Sequence, residues 1–149
     1  MADAALDLAG ELNTLLEAER AGARVGAALV KEAETRGASW QDLAKVIHDD
    51  EVHWARLLFE AVNALGAAPS DKVGDFYERA MAIEGFEARL AFVNRGQGWV
   101  VRKLREILPG VADAGLRATL QAMLDARVVN IDAANAALAA AGFEARPAR

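Results

Sequence analysis

The stretch HDDEVHWARLL, residues 48–58, gathers both histidines of the chain, three acids and one of its three tryptophans. Histidine, aspartate and glutamate are the residue types that hold hard or borderline metal ions, carboxylates by neutralising charge and imidazoles as neutral nitrogen ligands. Glu51 is followed three residues later by Trp54. A Glu-x-x-His pair, which puts two ligands on one helix face, would have its histidine there. The stretch therefore reads as a metal site or as the remnant of one. Other chemistries find less in the chain. It has no cysteine, which excludes a disulfide framework, a thiolate zinc site and a thiol nucleophile. Both histidines sit in one segment beside acids with no serine near by, so no Ser-His-Asp arrangement is assembled, and no glycine loop suits a phosphate.

The elements that must position these groups are helical. The 149 residues suit one domain, 1–149, with a sizeable core, and a hydrophobic fraction of 54% rich in alanine favours packed helices. A net charge of -5 argues against a nucleic-acid binder. The acidic, amphipathic start MADAALDLAGEL lacks the features of a signal peptide, and no run of 18 apolar residues exists. A cytoplasmic protein without membrane contact is expected. Helical periodicity runs over about 4–36, 39–65, from between 76 and 82 to 108, and 112–141. Gly37, the stretch GAAPS and Pro109-Gly110 break it, Ser39 with Asp42 offers an N-cap signature, and 143–149 read as a loose tail. The expected fold is all-α: a four-helix bundle of two hairpins joined by a longer crossover, long enough to run the length of a helix though not required to.

Helical wheels assign an inward stripe to each helix. Glu19 falls near the centre of the first, among Leu8, Leu12, Leu15, Leu16, Gly22, Gly26 and Leu29, and Glu17 points away. In the second, among Leu43, Val46, Ile47, Leu57, Leu58, Ala61 and Leu65, Asp50 and Trp54 fall near the centre and Glu51 on the flank, with His48 and His53 well off it. Gln97 lies among Phe86, Leu90, Val93, Val101, Leu104 and Leu108, and Arg127 and Asn130 interrupt Leu116, Leu120, Met123, Ile131, Ala134 and Leu138. Glu19 to Glu51 is 32 residues and Gln97 to Arg127 is 30, so two similar hairpins bring these groups into one layer. Such a layer has a purely structural reading too, since buried polar groups fix register and pairing.

The same residues carry a resemblance. LNTLLEAERAGA, 12–23, resembles the first-helix motif of ferritin-like proteins, close to bacterioferritins, whose bridging glutamate falls on Glu19. DEVHWARLL resembles the second-helix segment, with its Glu-x-x-His on Glu51 and Trp54. GQGWVVRKLRE, 96–106, resembles the third, whose glutamate falls on Gln97. MLDARVVNID, 123–132, resembles the fourth, with the second Glu-x-x-His on Arg127 and Asn130. The resemblance implies a ferritin-like bundle and a di-iron centre, but only Glu19 and Glu51 of six ligands are present. Arg127 brings a positive charge that would repel a cation and pair with carboxylates instead. The expectation is a divergent member with no cofactor, not an oxidase, whose layer of Glu19, Glu51, Gln97, Arg127 and Asn130 has a structural or binding role, with Trp54 filling volume and Asp50 able to join. The alternative is a rearranged site for a single Fe or Mn ion on Glu19, Asp50, Glu51 and His53.

Two further features stand out. Gly96 and Gly98 flank Gln97 inside a helix, at about 1 kcal/mol each relative to alanine, which calls for close helix approach beside bulk such as Trp54 or for a small ligand cavity. Arg95, Trp99, Arg102 and Glu106 share an outward face. Tryptophan and arginine are favoured interface anchors, and Asp49 and Glu60 on helix two supply possible acids for them, so a homodimer is expected. The competing reading has Trp99 flat against its own crossover near Phe76 and Tyr77.

Overall fold

The computed structural model describes residues 2–143, with side chains from Leu8 onward. All regular structure among them is helical: α1 Ala2–Ala33, α2 Ala38–Ala64, α3 Phe76–Met81, α4 Phe86–Ile107 and α5 Ala114–Ala140, with a 3-10 turn at Leu108–Gly110. Gly37, with φ 102°, joins α1 to α2 without a side-chain cap, so the Ser39 signature is not used. Asp113 caps α5 by accepting the Leu116 N–H at 2.7 Å. The third expected helix is two, because Gly85 with φ 97° breaks it. The tail residues 144–149 lie outside the described ones, whereas Phe143 packs against the core.

The four long helices contact one another in a ring, α1–α2–α5–α4–α1, leaving α1/α5 and α2/α4 as diagonals. Their interior divides into two apolar clusters. One holds Leu12, Leu16, Leu58, Val62, Leu104 and Leu120. The other holds Val25, Leu29, Ala44, Ile47, Leu90 and Leu138. Both α2 and α4 therefore run from the second cluster to the first, in parallel, and the chain between them must return along the whole length. The crossover is long by necessity. It follows the α1/α4 side: Asn13 Nδ2 donates to Ala68 O at 3.1 Å and Asn13 Oδ1 accepts from Ser70 N at 2.7 Å. Farther along, Arg20 donates to Ser70 O and Arg24 lies over the Tyr77 ring at 4.3 Å. At the far end the buried Arg89 holds Ala80 O at 3.0 Å and pairs with Glu32. No described helix is long and apolar enough to cross a membrane.

One helix is seated differently from its wheel. The inward residues of α2 are Ala44, Ile47, Glu51, Trp54, Leu58 and Val62. Val46 and Leu65 are 49% and 40% exposed, so both lie off the core face. The reason is α1. It presents Gly22 and Gly26 to α2, and a Cβ at Gly26 would sit 3.1 Å from His48 Cα. That close approach, rather than the bulk of the apolar residues, sets the rotation of α2 and brings Glu51 to the centre while Asp50 takes the flank.

Candidate functional site: a polar layer and the cavity above it

Between the two apolar clusters lie Glu19, Glu51, Gln97, Arg127 and Asn130, all buried, one or two from each long helix. Arg127 has no exposed surface. Its Nη2 donates to Glu19 Oε1 as an ion pair, and its Nη1 donates to Gln97 Oε1 at 3.3 Å. Burial pulls the guanidinium down to about 10, which leaves it charged at neutral pH. Asn130 Nδ2 donates to Asp50 Oδ2 at 2.6 Å, so Asp50 joins the layer from its edge.

Glu51 is the exception. It is 3% exposed, yet its Oε1 has no hydrogen-bond partner. Its carboxyl group lies against α1 where Gly22 leaves room, and a Cβ there would overlap Oε2. Desolvation, with Asp50 beside it, raises its pKa well above the usual carboxylate value. Arg127 therefore pairs with one of the two carboxylates, not both. Trp54 Nε1 and Arg127 Nε are also buried without partners. Trp54 packs within the first apolar cluster and fills volume there.

The expected ligands of a rearranged metal site are not brought together. Asp50 is bonded to Asn130, and Glu19 is taken by Arg127. His53 is exposed, its ring edge-on to Trp54 at 4.6 Å between centroids. The rotation of α2 separates them: it turns Glu51 inward and His53 out. Among the described residues no three His, Cys, Asp or Glu side chains are placed to hold a metal ion. Nor does the layer offer the donors that a di-iron centre needs: beside Glu19 and Glu51 it holds a guanidinium, two neutral amides and an indole.

A cavity of about 520 Å³ opens between α1, the crossover and α4 and reaches down to Glu19, Glu51 and Gln97. Gly96 borders it: a Cβ there would sit 3.0 Å from the ring of Phe76, so this glycine admits the crossover, not Trp54. Gly98 meets only Arg102, at 3.7 Å from Nη1. Phe76 stacks on Phe92 with centroids 5.0 Å apart, and Trp99, 39% exposed, lines the cavity with them. In the sequence, the crossover's part in this wall is signalled only by the glycines flanking Gln97 and by the competing reading that sets Trp99 near Phe76. Arg89, which anchors the crossover, was also missed, although it lies one position from Leu90 on the core face.

A family profile described as domain of unknown function (DUF6306) matches residues 7–137, which include every residue of the layer and the cavity. No curated protein and no solved structure matches the chain. With that match covering all four long helices, the chain belongs to the DUF6306 family.

Proposed function

We propose that this chain is a ferritin-like four-helix bundle in which an internal ion pair stands in place of a di-iron centre, and that its role is binding rather than oxidation. The ring order of the helices, the parallel α2 and α4, and the full-length crossover support the ferritin-like reading. The observation that carries the loss of the metal centre is Arg127, wholly buried in the middle of the layer and bonded to Glu19 and Gln97. A guanidinium there supplies the positive charge that metal ions would supply to the carboxylates, and it would repel a cation entering beside it.

The test is metal analysis of the purified protein after exposure to Fe(II) and to Mn(II) and removal of loosely held ions. Retained metal far below one ion per chain is expected. One or more ions per chain, held by residues of the layer, would overturn the reading.

A further inference from the structure

We propose that the cavity above Glu51 is a binding site for a small organic ammonium ion, a primary amine on an apolar body. The inference deepens the reading of the layer as metal-free and rests on it. The inner end of the cavity is formed by Glu19, Glu51 and Gln97. Acceptors outnumber donors there: against the oxygens of Glu19, Glu51 and Gln97 stands the NH2 of the Gln97 amide. Glu19 has one oxygen engaged by Arg127, and Gln97 Oε1 receives one N–H and has a second lone pair. Glu51 receives none: its buried Oε1 is unpartnered, its Oε2 lies against Gly22, and the residue lines the cavity. In charge, the layer sets the carboxyl groups of Glu19 and Asp50 against a single guanidinium, and the buried Glu51 beside them holds its proton more strongly than an ordinary carboxyl. A bound ammonium supplies a positive charge at Glu51, so that this carboxyl can release its proton to solvent and pair with the ligand.

A metal ion does not fill this role, because too few fixed ligands converge. An ammonium group does. It brings three N–H donors and one charge, and it needs no rigid coordination shell. Above the polar end the walls turn apolar: Ala18, Ala21, Val93 and Val100, then the stacked pair Phe76 and Phe92. That part suits an alkyl or aryl body. The volume falls within the range of small-molecule sites, roughly 300–1,000 Å³. At the mouth Arg79 and Arg95 are balanced by Glu17 and Asp75, so the entrance does not select against a cation. Gly22 has a defined part in this site: it provides the seat for the carboxyl group that receives the ligand.

Isothermal titration of the whole protein with 2-phenylethylamine, 2-phenylethanol and 3-phenylpropanoate tests the chemistry with bodies of similar size. The amine is expected to bind at least about tenfold more tightly than the alcohol, roughly 1.4 kcal/mol, and the carboxylate most weakly. Glu51→Gln keeps the shape but cannot ionise, and it should bring the amine down to about the alcohol's affinity. Amide shifts of Gly22 and Gln97 should move on addition of the amine to the unaltered protein, which keeps the test independent of how the variant folds. Equal affinity for amine and alcohol, or no saturable amine binding, overturns the proposal. Metal analysis stands apart from these titrations: a metal-free protein that ignores amines refutes the ammonium site alone, whereas retained metal refutes the reading beneath it.

Discussion

Arg127 and Glu51 occupy one layer but have opposite circumstances. Arg127 is fully buried and compensated by Glu19 and Gln97. Removing it leaves Glu19 as an uncompensated buried charge, and Arg127→Ala should destabilise the fold by about 3–5 kcal/mol in denaturant titration. A variant that unfolds like the parent would show that the pair contributes nothing. Glu51 is buried without compensation, and its pKa is raised above the ordinary 4.5 by desolvation and by Asp50. The charged groups in its layer are Asp50, Glu19 and Arg127, and His48 lies beside it on α2. Below the unfolded value, folded and unfolded chains both hold the proton. Above it, the unfolded chain releases the proton and the folded chain keeps it. Stability therefore falls by about 1.4 kcal/mol per pH unit until the folded carboxyl ionises as well. Glu51→Gln cannot ionise and should lose less stability than the parent between pH 5 and neutrality. Parallel stability curves for the two proteins would contradict the raised pKa.

At the scale of the element, the α1/α2 pair is governed by two glycines. An alanine at Gly22 gains up to about 1 kcal/mol in helix propensity but collides with the Glu51 carboxyl group. The colliding atoms are the far end of a side chain that borders the cavity, so the Glu51 carboxyl group must shift to admit the methyl group. Gly22→Ala should therefore be less favourable in the parent than in a Glu51→Ala background. A double-mutant cycle measures the coupling, expected at about 0.5–3 kcal/mol because the two residues touch. Additive effects would mean that α2 is not seated against α1 as described. The crossover is the other element that the fold depends on. Short polar ties from Asn13, Arg20 and Arg89 hold its backbone to α1 and α4, and Phe76 gives it an apolar anchor against Gly96.

For the whole molecule, the outward face of α4 bears on assembly. Arg95, Trp99, Arg102 and Glu106 are all exposed on it, and Asp49 and Glu60 are exposed on α2. Trp99 also borders the cavity mouth shared with Phe76, so the interface reading and the crossover reading meet at one residue. A homodimer that buries Trp99 is expected. Light scattering should give twice the 15.8 kDa chain mass, and Trp99→Ala should return the protein to a monomer. A parent that is monomeric at micromolar concentration rules out the dimer, and a dimer that survives the substitution has its interface elsewhere.

Periodicity and punctuation were enough to place four long helices, their breaks at Gly37 and Pro109-Gly110, and the inward positions of Glu19, Gln97, Arg127 and Asn130. These are local properties, determined by 3.6 residues per turn and by backbone preferences of single residues. The rotation of α2 was not local. Large apolar residues at Val46 and Leu65 suggested one face, while the contact with Gly22 and Gly26 selected another about one position away, exchanging Asp50 for Glu51 at the centre. The same holds for the partner of Arg127, which is 108 positions distant in the chain, and for the cavity, whose walls come from α1, the crossover and α4. The run of the crossover followed from the parallel packing of α2 and α4, which no segment encodes by itself. Composition and spacing determined which groups would be buried together. Only the packing of distant segments decided which of them found partners and which, like Glu51, were left facing a cavity.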